Sequence, residues 1–398
     1  MKLLLLNQFF HPDLAATAQL ATDLAEDLAA AGVSVTALAG RGSYLGGGTL
    51  PARERHRGVE IRRVAATSLG KRTLAHRALD YGSFYAAAAV ELLRLPRQDV
   101  VLAMTTPPLI AAAALAVRPL RGAKLVYWVQ DLYPEIAVAM GVLGPRAPAT
   151  AAMRAASRQV LSRADAVVVL GEAMRDRVLA AGARADRVEV IPNWADGRAV
   201  RPVPHGENPL RAELLGDARH LVMYSGNMGR AHDLQTLLDA ARLLREHRDV
   251  RFVFLGDGER RREVELAARE LPNVRLGPYQ PRDRLALSLS AADLHLASLQ
   301  PAFLGLVEPS KLYGILAAGR PTLFAGPEEC EVARTLSREA CGVVVPNGAA
   351  ERLADAVLQL TRTDDARIRM GELARAALEK HHDRRVACRS FERLLDRL

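Results

Sequence analysis

Residues 3–38 read LLLLNQFFHPDLAATAQLATDLAEDLAAAGVSVTAL. Residues 3–6 are a short apolar run closed by polar Asn7 and Gln8, the pattern of a buried strand. Asp23-Leu24-Ala25-Glu26-Asp27-Leu28 carries helical period, Gly32 supplies a stop, and residues 33–38 resume as a second strand. Strands alternating with helices imply parallel sheets covered on both faces.

The alternation continues outward from this unit. Residues 59–64, 100–104, 125–129, 166–170 and 188–191 read as strands, with Ala/Leu stretches of helical period between most of them. A turn-rich stretch at 191–196 and a Pro/Gly stretch at 202–209 mark a linker. Beyond it, residues 221–224, 251–255, 274–276, 294–297, 322–324 and 342–345 repeat the plan, with helices such as 234–245 and 260–271 between. Residues 384–398 form a last amphipathic helix, and no short repeat is visible. The expected fold class is α/β: two tandem Rossmann-like, doubly wound parallel-sheet domains, spanning 1–197 and 198–380. Residues 381–398 are expected to pack back toward the first. Ligands of such sheets bind at the carboxyl ends of the strands, so a ligand is expected in a cleft between two facing domains.

Composition narrows the function. With 49% hydrophobic and 25% charged residues, the chain can build cores, and disorder and low complexity are excluded. Three Cys (Cys330, Cys341, Cys388) without CxxC spacing speak against a disulfide framework or a zinc site and fit a reducing cytosol. The run at residues 3–6 is too short for a signal peptide. Residues 100–117 carry no charge, but Thr105-Thr106-Pro107-Pro108 interrupts them; strand, turn and Ala-rich helix fit better than a membrane span. The net charge is +9, and only five of the 54 basic residues are Lys. Between Arg53 and Arg77 stand eight Lys/Arg against two Glu, a local excess that fits an anionic lipid surface, a phosphorylated substrate or simply a solvated loop. Few aromatics and no recognition motif argue against a nucleic-acid partner.

Three segments carry candidate chemistry. In Tyr224-Ser225-Gly226-Asn227-Met228-Gly229-Arg230 a strand ends in two Gly before a helix begins near Asp233. Such a turn lets backbone N–H groups approach a phosphate, with Arg230 and His232 available to neutralise it. Leu255-Gly256-Asp257-Gly258 is a second strand-end Gly turn, which a purely structural role also explains. The third is Glu308-Pro309-Ser310-Lys311-Leu312-Tyr313-Gly314, running on to Gly319-Arg320-Pro321. Ser310 is the expected N-cap and Gly319 the stop. A Lys in the first turn is a poor dipole match unless an anion binds there, and a scarce Lys is the more informative for it.

This third segment resembles the donor-site helix of family 4 glycosyltransferases of the GT-B fold, in the bacterial branch that makes envelope polysaccharides. The resemblance covers the whole chain: residues 7–19, Tyr127-Trp128-Val129-Gln130-Asp131-Leu132-Tyr133-Pro134-Glu135 and Ile191-Pro192-Asn193-Trp194-Ala195-Asp196 are similar to further motifs of that branch, in the same order. It implies a nucleotide-sugar donor on the second domain. Gly226 and Asn227 with Arg230 or His232 would hold the diphosphate beside Gly256. Tyr279 and Gln280 would offer backbone to the base. Ser310, Lys311 and Leu312 would meet the phosphates from the helix start. On the first domain it implies that Ala15, Ala16 and Thr17 lie near the phosphates, and that Gln130, Asp131 and Glu135 form the catalytic group. The Glu-x7-Glu pair of many relatives falls on Leu306 and Gly314, leaving Glu308 as the carboxylate at hand.

A diphosphate leaves readily once its charge is met by dipoles and cations. No DxD carboxylate pair is present, so neither metal nor cofactor is expected. The resemblance implies retaining transfer of a sugar, an N-acetylated amino sugar or a deoxy sugar, from a UDP-sugar. The acceptor would be polyprenyl-diphosphate-linked or a saccharide, reached from the cytoplasmic face of the membrane. Residues 74–95, long apolar runs flanked by basic ends, would with the Arg53–Arg77 excess lie on an anionic membrane. The competing readings are a UDP-sugar epimerase of the same fold and a non-catalytic nucleotide-sugar-binding subunit.

Overall fold

The computed structural model describes residues 1–42, 48–67 and 74–398. The chain divides into two compact units, Met1–Pro192 with Cys388–Leu398, and Asn193–Ala387. The division falls after Pro192, inside the turn-rich stretch and ahead of the Pro/Gly stretch at 202–209.

The first unit is built on eight strands: β1 (Lys2–Leu6), β2 (Ser34–Gly40), β3 (Arg53–His56), β4 (Val59–Val64), β5 (Val100–Ala103), β6 (Lys124–Trp128), β7 (Ala166–Val169) and β8 (Val188–Val190). Their order is β3-β4-β2-β1-β5-β6-β7-β8. β1 lies between β2 and β5, with Leu3 opposite Val35 and Val100, and Leu3 to Leu6 are fully buried, as a strand covered on both faces requires. Helix Ala16–Ala30 crosses from β1 to β2. Within this unit Phe391 packs edge-on against Trp128 at 4.8 Å.

One strand was not expected. The start of the basic 53–77 stretch, read above as a loop, is the edge strand β3, antiparallel to β4. Arg57 (φ 44) and Gly58 (φ 88) make the turn, both left-handed as a tight hairpin requires. Four charged residues give no apolar alternation, which is why the pattern hid the strand; charge also suits an edge. The pairing explains part of the basic excess. Arg63 is buried, 2.8 Å from Glu54, and donates to the carbonyls of His11 and Pro51. Arg62 pairs with Glu60 and Glu91, and Arg57 with Glu26. Lys71 and Arg72 lie outside the described residues. Residues 100–117 form β5, a turn and the start of helix Ala111–Arg121, and no described helix is long and apolar enough to cross a membrane.

The second unit has six strands, all parallel: β9 (His220–Ser225), β10 (Val250–Leu255), β11 (Val274–Gly277), β12 (Leu294–Ser298), β13 (Thr322–Ala325) and β14 (Gly342–Val345). The order β11-β10-β9-β12-β13-β14 reverses direction between β9 and β12. Tyr224, Phe252 and Phe254 join Leu234, Leu237, Leu353 and Val357 of the covering helices in one buried cluster. The order reversal opens a crevice at the carboxyl ends of β9 and β12, where open α/β sheets bind ligands.

Candidate functional site

The carboxyl end of β9 is held by its neighbours. Gly226 N–H donates to the Leu255 carbonyl, Met228 N–H to Asp257 and Arg260 N–H to Met228. The turns after β9 and β10 are thereby joined. They approach so closely that a Cβ on Gly256 (φ +141) would stand 2.0 Å from the Gly226 carbonyl oxygen. His232 ties the same turn to β12, its Nδ1 donating to the Ser298 carbonyl at 2.7 Å. Burial above all pushes His232 down to about 3, so it is a neutral imidazole.

Lys311 opens the helix Lys311–Ala317 and reaches back to this turn. Its Cε lies 3.5 Å from where a Cβ on Gly226 would be. Its Nζ sits 3.5 Å from the centre of the Tyr224 ring, shielded from solvent and without a hydrogen-bond partner. A desolvated cation–π contact is worth about 2 kcal/mol. Burying an unpaired ammonium costs several kcal/mol, so the ring offsets only part of it. Burial accordingly holds the amine well below the usual lysine range.

The other residues named from the sequence lie as follows. Arg230 stands on the exposed rim, its Nε donating to Glu259 at 2.5 Å, and so does not replace the cation in the turn. The Asn227 side chain folds against Gly229 and Gly258, and its carbonyl accepts from the Tyr224 hydroxyl at 2.7 Å. Tyr279 is half exposed, its hydroxyl 3.4 Å from the Asp257 carbonyl and its ring edge against Gly256. Gln280 follows it, half-buried. Ser310 occupies the N-cap position but with helical angles (φ −64, ψ −15) and no capping hydrogen bond, unlike the cap expected of it. The Leu312 side chain is core, and its N–H donates to the Pro309 carbonyl. Glu308 is buried, neither oxygen has a hydrogen-bond partner of normal geometry, and burial, reinforced by Glu331, pushes it up to about 8.

In the first unit, Ala15 precedes helix Ala16–Ala30 and its N–H donates to Asp13 at 3.0 Å; Ala16 and Thr17 begin the helix without an acidic residue in its first turn. Gln130 and Asp131 follow β6, Gln130 buried. The Asp131 N–H donates to the Thr105 hydroxyl at 3.3 Å, joining the carboxyl ends of β5 and β6. Withdrawal from solvent pushes Asp131 up to about 6. Glu135 is set apart: it begins the helix Glu135–Ala139 and accepts from Arg154 Nε at 3.0 Å, a structural pair. Tyr224 and Thr105 were not singled out from the sequence. An aromatic at a strand end reads as core, and only the fold brings Lys311 onto the ring.

Residues 16–194 match the family model described as glycosyl transferase 4-like domain, and residues 219–363 match glycosyl transferases group 1. The chain is 28% identical over 303 residues, 75% of its length and 74% of the relative's, to a probable glycosyltransferase, WbjE, of Pseudomonas aeruginosa. It is 28% identical over 251 residues, 61% of each chain, to a putative colanic acid biosynthesis glycosyl transferase, WcaI, of Escherichia coli strain K12. Among solved structures, the Anabaena protein HepE in complex with UDP-glucose superposes over all of both chains with a TM-score of 0.75 at 16% identity. With both family models matched one after the other along the chain, the chain belongs to the family 4 glycosyltransferases of the GT-B fold.

Proposed function

We propose that this glycosyltransferase acts in the synthesis of a bacterial envelope polysaccharide. It would transfer a sugar from a UDP-sugar, with retention, to a polyprenyl-diphosphate-linked or saccharide acceptor. The observation that carries the reading is the solvent-shielded, unpartnered Lys311 Nζ beside Gly226, an amine whose missing partner a diphosphate would supply. The relatives support the pathway: one is a putative colanic acid biosynthesis enzyme, and a protein of the same fold binds UDP-glucose. The sugar itself, an N-acetylated amino sugar or a deoxy sugar, follows from resemblance to that branch.

In this reading the bond between sugar and diphosphate breaks as the acceptor oxygen bonds to the anomeric carbon from the same face. Lys311 meets the charge gathering on the leaving diphosphate. Asp131, about 6 when folded, is mainly ionised at pH 7.5 and accepts a hydrogen bond from the acceptor hydroxyl, orienting it. Glu135, engaged by Arg154, supports the loop rather than the chemistry. Electrostatic stabilisation by the chain's own cations makes the transfer metal-independent, since the sequence offers no DxD pair.

The test is a thermal-shift screen against UDP, GDP, ADP and dTDP and their sugars with EDTA present. A ligand at 100 times its Kd stabilises by about 2.7 kcal/mol. Selective stabilisation by UDP compounds is expected; selectivity for another nucleotide overturns the choice of UDP, and no response overturns the donor site. Lys311→Ala is expected to lower kcat/KM by about 100-fold, of order 2.7 kcal/mol, with little loss of folding stability. Unchanged turnover removes Lys311 from the phosphate role.

A further inference from the structure

The Lys311 amine meets groups from each element around it. From β9 it meets the Tyr224 ring, whose phenol burial keeps neutral. From the turn after β9 it meets His232, which is neutral and already donates through Nδ1 to Ser298. Beyond His232 stands Arg260, committed to Glu263 and to the His232 carbonyl. Arg230 is turned outward to Glu259. Burial alone accounts for the state of the amine, and no carboxylate among the described residues opposes it. The surroundings of Nζ therefore offer it no anion.

Resting on the reading that this unit binds a nucleotide sugar, we propose that Lys311 is a neutral amine in the empty site and takes up one proton as the donor diphosphate enters. The proton comes from solvent and returns to it when the diphosphate departs. Donor binding and protonation are then linked: each requires the other, because the ammonium has no other anion and the diphosphate gains its cation only on protonation. The site is selective for multiply charged donors by the same device, since a neutral ligand cannot hold the proton in place.

The probe is UDP-glucose, whose diphosphate carries no group titrating between pH 6.5 and 8, so that any proton taken up belongs to the protein. Isothermal titration calorimetry of the full chain in Hepes and in Tris, which differ in ionisation enthalpy, is expected to show about one proton taken up per donor bound. The Kd is expected to rise about tenfold for each pH unit above neutrality. Lys311→Arg keeps a cation that stays charged and is expected to bind with no uptake and a flat pH profile. His232→Gln is expected to keep the uptake. Wild-type binding without proton uptake overturns the proposal while leaving the donor site standing; so does uptake that persists in Lys311→Arg or vanishes in His232→Gln. No binding of UDP-glucose by the wild type overturns the UDP-sugar reading, and this proposal with it.

Discussion

Glu308 and Lys311 are three residues apart, and burial shifts each toward its uncharged form. The Glu308 carboxyl, pushed up to about 8, keeps its proton in the folded chain well above the pH at which an unfolded chain loses it. Stability therefore falls as pH rises from the ordinary carboxylate range toward 8. Glu308→Gln, which carries the same shape without the titration, is expected to exceed the wild type at pH 8 by roughly 4 kcal/mol, at about 1.4 kcal/mol per pKa unit for a carboxyl raised from 4.5 to about 8. The two converge near pH 5. Urea denaturation at both pH values checks this, and an equal gap at both contradicts a raised carboxyl. Lys311 was legible in the sequence because Lys is scarce and stands at a helix start. Its solvent-shielded amine was not, because the Tyr224 ring that covers it lies 87 positions earlier in the chain.

Turns rather than strands or helices decide the geometry of the candidate site. The turns after β9 and β10 touch backbone to backbone at Gly256 and again at Gly258. In Gly256→Ala the new methyl would meet a carbonyl oxygen that cannot swing aside, at a positive φ that an alanine resists. The expected cost is upwards of about 2 kcal/mol, with loss of nucleotide-induced stabilisation. Gly206→Ala, with nothing within 4 Å, should stay within about 0.5 kcal/mol of the wild type. Chemical denaturation of the pair makes the comparison, and equal costs would contradict the close approach. The Gly-x-Gly signal at this turn was visible in the sequence. That both glycines press on a neighbouring turn was not, since a strand-end Gly looks the same whether it faces solvent or another turn. The edge strand β3 was hidden for the opposite reason: its side chains are charged, and only pairing with β4 makes it a strand.

At the scale of the whole molecule, the +9 charge is less free than its count suggests, because Arg57, Arg62 and Arg63 each face a carboxylate. Helix Leu74–Arg94 nonetheless exposes Leu79, Val90 and Leu93, with Leu120 exposed on helix Ala111–Arg121. Apolar side chains on a basic unit suit an anionic membrane surface, where each basic residue adds about 1 kcal/mol. The chain is expected to co-sediment with anionic liposomes at low salt and to be released near 0.5 M salt, where charges are screened beyond roughly 4–5 Å. No co-sedimentation, or binding indifferent to salt, contradicts electrostatic attachment.

The sequence by itself determined the class of fold and most strands, because apolar runs closed by polar residues and Gly stops report burial locally. It also determined the donor-side motif, because a lone Lys before a Gly-stopped helix is a local anomaly. Tertiary structure alone decided which cation faces the site. Arg230 and Lys311 were equal candidates in the chain, but the fold turns Arg230 outward to Glu259 and draws Lys311 under Gly226 onto Tyr224. It likewise set Glu135 against Arg154 and left Asp131 apart from it. The physical reason is common to both: a side chain's charge state and reach depend on desolvation and on partners distant in sequence, and neither quantity exists until the strands that carry them are side by side.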